Sequence, residues 1–168
     1  MKNFGYSILI LIFLFTVASC EKDDICVEGT TPLMVIEFFD INNRETLTNV
    51  TALRVVGAGQ TLTVNTVADR TNLNTITVPL KTAENSTSFL LISDSADNDD
   101  GSEIGNIDTV TFDYTRFEDF KSRACGFIVN YEELSGVLQT DTNNWIQEIE
   151  IIRSEIINSD STHVKIYH

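Results

Sequence analysis

Histidine is nearly missing from this chain, and so is proline, with two of each. His163 and His168 are the only imidazoles, and residues five apart in a strand point to opposite faces, so a histidine-based metal centre is a poor expectation. Bases are scarce too: 11 Lys and Arg stand against 25 Asp and Glu, a formal charge of −14. Such a surface repels phosphate backbones, so nucleic acid is excluded as a partner, and flat adsorption on anionic lipid is disfavoured. No apolar run is long enough for a comfortable transmembrane helix. The sequence contains no G-x-S-x-G elbow, no P-loop, no G-x-G-x-x-G and no H-E-x-x-H. Ser135-Gly136 lacks the residues that would make it a nucleophile turn, and no carboxylate pair stands out among 25 acids as glycosidase machinery. The reading is of a protein that is not an enzyme and needs no cofactor.

What is present begins with an export leader. Lys2 supplies a positive start, and Tyr6 to Val17 is almost unbroken apolar sequence of signal-peptide length. Val17-Ala18-Ser19-Cys20 follows, and it resembles the lipobox read by lipoprotein signal peptidase: an aliphatic residue, two small residues, then cysteine. Residues 1–19 are therefore expected to be removed and Cys20 to carry lipid. The bland alternative is an ordinary signal peptide with an accidental cysteine. Each buried CH₂ contributes ~0.8 kcal/mol, so two or more acyl chains anchor stably without a basic patch. Losing Lys2 makes the remaining chain one unit more negative than −14. Lys22-Asp23-Asp24, just behind Cys20, resembles the surface-export signal of Bacteroidota lipoproteins. It implies an outer-membrane protein facing the cell exterior; otherwise it is a solvated tether.

Three cysteines occur in all. With Cys20 spent on lipid, Cys26 and Cys125 remain as an even pair in an oxidising compartment. A disulfide between them is expected, clamping the tether to the domain. Two buried thiols or a metal site are the alternatives, and the absence of C-x-x-C speaks against the metal.

Residues 20–30 read as a lipidated tether and 31–168 as one β-rich domain, roughly 140 residues and large enough for its own core. Met34, Ile36 and Phe38 alternate with Leu33, Val35, Glu37 and Phe39, as in a strand buried mainly on one side; Leu62 and Val64, Ile76, Val78 and Leu80, and Val110, Phe112 and Tyr114 alternate with mostly polar neighbours, and Phe127, Val129 and Tyr131 form another odd-numbered face. Leu53 to Val56 is a further short run. Phe89 to Ile92 is continuously apolar and reads as a central strand, whereas Pro79 marks an edge. The spacing predicts an antiparallel β-sandwich, immunoglobulin-like or related. Residues 145–157 are ambiguous. Trp145, Ile149, Ile152 and Ile156 have helical spacing, but the β-branched isoleucines and a turn at Asn158 to Ser161, leading into His163–Tyr167, favour a strand.

Three segments invite a functional reading. Asp94 to Glu103 is dense in carboxylates, with Asp97, Asp99, Asp100 and Glu103 as candidate Ca²⁺ ligands. Laid on an EF-hand loop it puts Ala96 and Ile107 at the decisive first and last positions, so it is not one. A solvated acidic loop is the simpler reading. Asp94-Ser95-Ala96, Asp108-Thr109-Val110 and Asp160-Ser161-Thr162 resemble the Bacteroidota O-glycosylation sequon. Ser95 and Ser161, in expected loops, are the better candidates, and Thr109 falls in an expected strand. Arg116 to Arg123 holds three bases and two phenylalanines in an acidic chain. It reads either as a contact patch for a partner or as a loop whose phenylalanines pack on the core. The loop is preferred because exposed aromatics are costly without a partner.

Cys26 with Thr31-Pro32 and an apolar strand, Ser122-Arg123-Ala124-Cys125-Gly126, Asn144-Trp145-Ile146 and His163-Val164-Lys165-Ile166-Tyr167-His168 together resemble a family of Bacteroidota lipoproteins known only as a domain of unknown function. The likeness spans roughly residues 20–168. It implies export, the cysteine pair and a β-rich domain, and brings no activity or cofactor. The expected role is a non-enzymatic binding or accessory module for an outer-membrane β-barrel or envelope complex. A Ca²⁺- or glycan-binding adhesion module and a small envelope hydrolase are the alternatives.

Overall fold

A computed structural model describes Cys26 and residues 30–168. The expected leader 1–19, the expected lipidation site Cys20 and the expected export signal Lys22, Asp23 and Asp24 lie outside the described residues. Ten strands build two sheets, and no helix occurs among the described residues. The molecule is an all-β sandwich.

The first sheet starts from β1 (Met34–Asp40), whose alternation was legible in the sequence. Met34, Ile36 and Phe38 are fully buried in the core. β2 (Asn43–Leu47) returns beside it after a tight turn in which the Asn42 amide donates to Asp40 Oδ1 at 2.7 Å. β5 (Thr75–Val78) shares that same edge of β1, pairing with Met34–Glu37. Pro79 thus follows an edge strand, as expected. On the other side of β1 lie β10 (Val164–Tyr167) and then β9 (Glu148–Ile151).

The β1–β10 pair is parallel, from Ile36↔Val164 to Phe39↔Tyr167, the one parallel pairing among the described strands of an otherwise antiparallel sandwich. The first and last strands meet across the whole chain, and the alternation of each is the same whichever direction its neighbour runs. His163 starts this pairing. Its imidazole Nδ1 accepts the Val35 N–H at 3.0 Å, so the ring takes the place of a strand carbonyl.

The second sheet runs β4 (Thr71–Leu73), β3 (Val50–Gly57), β6 (Ser86–Ser93), β7 (Asn106–Ser122), β8 (Gly126–Leu138). β6 is central, as its continuous apolar run requires. The two inner faces meet in one core that includes Phe38, Leu53, Val55, Leu91, Phe112, Tyr131 and Ile166. Tyr131 is fully buried, and its hydroxyl donates to Leu80 O at 3.2 Å. Burial pushes that phenol up to about 12.

Three expectations need correction. Leu62 and Val64 do not form a strand, since only the bridge Val56↔Thr63 joins this segment to a sheet. Residues 145–157 are neither a helix nor one long strand. Glu148–Ile151 is extended, and 152–157 is irregular apart from the bridge Tyr131↔Ile156. The segment Arg116–Ser122 is not a loop but the far half of a seventeen-residue strand.

Candidate functional site

β7 joins two unlike ends of the molecule. Its first residue, Asn106, pairs with Ser93 at the end of β6, and pairing with β6 finishes at Asp113↔Ser86. Beyond that point β7 continues with β8 as a projecting hairpin, paired as far as Ser122↔Gly126. Seventeen residues at about 3.3 Å each put the two ends roughly 50 Å apart.

The near end carries the acidic loop 94–103. Its carboxylates do not converge on an empty cavity. Arg70 donates from Nη1 to Asp97 Oδ2 at 2.8 Å, and from Nη2 to the other oxygen of the same carboxylate. Glu103 accepts from the Ser95 hydroxyl at 2.8 Å, the Ala96 N–H at 3.0 Å, the Gly105 N–H at 2.9 Å and Arg54 Nη1 at 3.3 Å. Burial alone would raise the Glu103 carboxyl, but these hydrogen bonds outweigh it and hold it below its ordinary value. The Arg70 hydrogen bond likewise holds Asp97 low. Asp100 turns back on its own loop, accepting the Ser102 N–H at 2.9 Å. The structure therefore brings Asp97 and Glu103 together, bridged as a short antiparallel pair, but with arginines between and around them. Among the described residues no group of three or more His, Cys, Asp or Glu side chains is placed to hold a metal ion.

The loop also has a fixed backbone. Ala52, Arg70 and Asp94 all have positive φ, at 43°, 53° and 51°. They are tied together by Asp94 N–H to Thr51 O at 2.8 Å, Ser95 N–H to Ala52 O at 3.2 Å and Arg70 N–H to Leu53 O at 2.9 Å. Gly105 closes the loop where no side chain fits: a Cβ there would lie 2.7 Å from Ser93 O. Arg54 and Arg70 are the residues that sequence reasoning missed. The available signal was two arginines near the loop's flanking strands in a chain short of bases.

Ser95, a glycosylation candidate, lies in a loop as expected, but not in an open one. It is buried, and its hydroxyl is enclosed between Arg70 Nε at 3.1 Å and Glu103. Ser161 is half-buried in the turn before β10, and Thr109 is half-buried within β7.

The far end is the hairpin tip. Tyr114 and Tyr131 still belong to the core, ring on ring at 5.0 Å. Past them the face leaves the sandwich. Phe117, Phe120 and Phe127 are 38%, 53% and 65% exposed, which overturns the expectation of phenylalanines packed on the core. Phe120 and Phe127 stand directly opposite in the ladder with ring centroids 5.2 Å apart. Glu118 and Asp119 on this stretch are matched by Lys121 and Arg123, and Lys121 pairs with Asp119 at 2.6 Å. Arg116 is occupied elsewhere, donating to Asn85 Oδ1 at 2.7 Å and Thr82 O at 2.6 Å. The tip turn contains Cys125, and Cys125 forms the expected disulfide with Cys26, across a sequence separation of 99. The N-terminal segment then passes the hairpin base, where Thr31 Oγ1 accepts the Val129 N–H at 3.2 Å.

No curated protein and no solved structure matches the chain. A family model described as Family of unknown function (DUF6452) matches residues 49–168, more than half of the sequence, and the chain belongs to that family.

Proposed function

We propose that this is a Bacteroidota-type lipoprotein, anchored in the outer membrane through Cys20 and facing the cell exterior, that acts as a non-enzymatic binding or accessory module for an outer-membrane β-barrel or envelope complex. One observation carries the reading: the disulfide fastens the N-terminal segment to the tip of the β7–β8 hairpin, far from the arginine-locked loop. A chain held by lipid at Cys20 is thereby held at one end, and the acidic end is left to meet a partner. The rigidity of that end supports recognition over chemistry. Glu103 is committed to backbone N–H groups and arginines, and His163 Nδ1 to the Val35 amide. The buried Asp108 accepts the Ile146 N–H at 2.7 Å and the Asn144 amide at 3.1 Å. These are structural occupations rather than free acids and bases.

The test is affinity purification of the full chain from gently solubilised membranes, with Cys20→Ala alongside. Recovery of a reproducible barrel partner, together with release of Cys20→Ala from the membrane, is the expected result. A membrane-bound, lipid-labelled Cys20→Ala chain would overturn the anchor. Turnover of an envelope polymer, lost on changing one carboxylate pair, would overturn the non-enzymatic role.

A further inference from the structure

We infer that the tip of the β7–β8 hairpin is a lipid-facing foot, with Phe120 and Phe127 entering the interfacial layer of the bilayer in which Cys20 is anchored. The inference rests on the anchor reading above and adds the surface by which the protein meets the membrane.

Three observations converge on it. The first is exposure: Phe120 and Phe127 form a cross-strand aromatic pair that the fold leaves 53% and 65% open. An exposed aromatic pair on a projecting element calls for an apolar contact outside the domain. The second is reach. Cys26 is bonded to Cys125, inside the turn between those two phenylalanines. Cys26 stands six positions after Cys20, and at about 3.5 Å per step that stretch spans at most roughly 20 Å. A diacylated Cys20 therefore keeps the tip beside the headgroups at all times. The bilayer is then present at a local concentration that a diffusing protein partner does not match. The third is charge. The chain as a whole carries −14, but at the tip Glu118 and Asp119 are balanced by Lys121 and Arg123. Asp160, on a neighbouring segment, lines a cleft shared with Thr30, Pro32, Lys121 and Ile128. The hairpin tip itself is thus nearly neutral, but the tether brings Glu21, Asp23 and Asp24 beside it against Lys22 alone, so the foot rests on its aromatic pair and its tether rather than on attraction to anionic lipid. Phenylalanine on one face with Lys or Arg beside it is also the composition of elements that lie in a membrane–water interface. With the foot down, the hairpin stands on the bilayer and the acidic loop is carried outward.

The experiment uses the full lipidated chain, purified from membranes and reconstituted into phosphatidylethanolamine–phosphatidylglycerol vesicles with brominated or ordinary acyl chains. Trp145 is the sole native tryptophan and gives the background. Phe127→Trp and, from the opposite strand, Phe120→Trp report on the tip. Ile104→Trp, at a 61% exposed position beside Glu103, reports on the far end. The expected result is a blue-shifted emission for the tip variants and at least a twofold loss of intensity in brominated vesicles, with little change for Ile104→Trp. Intact mass determines whether Cys20 is lipidated in the same samples. Lipidated protein whose tip variants are quenched no more than Ile104→Trp overturns the foot and leaves the anchor standing. An unmodified Cys20 overturns the anchor and the foot with it.

Discussion

The Cys26–Cys125 bond closes β1 to β7 into one loop, and the cost of opening it can be worked from the structure. In the chain-entropy treatment a loop of this size restrains the unfolded state by about 4.7 kcal/mol. Part of that is returned, because Cys26 precedes the first strand residue, Met34, and opening the bond also frees the native N-terminal segment. Backbone ordering costs about 1–2 kcal/mol per residue. Regained freedom over even one or two residues brings the expected net loss to roughly 2–3 kcal/mol. The assay is urea unfolding of the chain from residue 20 carrying Cys20→Ser, compared with Cys26→Ser and Cys125→Ser together. The midpoint should fall with an increase in m, because the unlinked unfolded chain exposes more surface. The melting temperature should fall by roughly 10 °C, and reduction of the parent should reproduce both shifts. A double variant within about 0.5 kcal/mol of the parent would refute the reasoning, because the N-terminal segment would then contribute to the fold equally with or without its bond.

Two further predictions concern titratable groups. Burial, reinforced by the charge of Arg153, lowers the His163 pKa below its ordinary 6.5. The folded state therefore resists protonation more than the unfolded chain does. Stability is full above pH 6.5 and falls as pH drops through that value, by at most about 1.4 kcal/mol per pH unit, until the folded ring itself protonates. His163→Asn, which keeps an acceptor for the Val35 amide, should flatten the urea midpoint across this window, leaving only the carboxylate loss that sets in as pH falls below about 5. An unchanged slope would remove His163 as the cause. At the acidic loop, Glu103→Gln keeps the shape but removes the charge facing Arg54 and Arg70, and should cost about 2 kcal/mol. The same unfolding assay with excess Ca²⁺ should leave the parent unmoved, since the carboxylates of Asp97 and Glu103 are already bonded to arginine; a rise in midpoint would show that the cation displaces them.

Strands whose side chains alternate between core and solvent were legible: β1, β5, β6 and the first half of β7 bury the faces their sequences mark. β2 was not, because Asn43–Leu47 is exposed throughout and carries no alternation. The second half of β7 escaped for a different reason. Phe117 and Phe120 were assigned inward on the general cost of exposed aromatics, but hairpin pairing with β8 satisfies the backbone regardless of what the side chains meet. The cysteine pair could be paired by elimination. The arginine lock was harder to read: two arginines near the loop's flanking strands hint at it, but Arg54 reaches Glu103 from a regular position opposite Ile92, and Arg70 reaches Asp97 from a positive-φ residue that nothing in its neighbours announces.

Those turns bear on whether the acidic end is shaped or merely solvated. A residue with a Cβ in the left-handed region costs roughly 1–2 kcal/mol relative to glycine, and such strain persists only where the surroundings over-determine it. Three such residues meet at this end, held by the hydrogen bonds among strands β3 and β4 and the loop. Ala52 is the cleanest to test, because its N–H is bonded to Asn72 Oδ1 at 2.9 Å and its side chain is a single methyl. In Ala52→Gly the relief of strain opposes the extra freedom of glycine in the unfolded chain, about 0.5–1 kcal/mol. The net expectation is a stabilisation of up to about 1 kcal/mol, opposite in sign to the usual effect of glycine in a strand. A loss of more than about 0.5 kcal/mol in urea unfolding would mean that methyl packing outweighs the backbone, and that no strain is held there. A gain would mean that the loop is kept in its geometry against a local preference, so that the acidic end is shaped by its backbone rather than merely solvated.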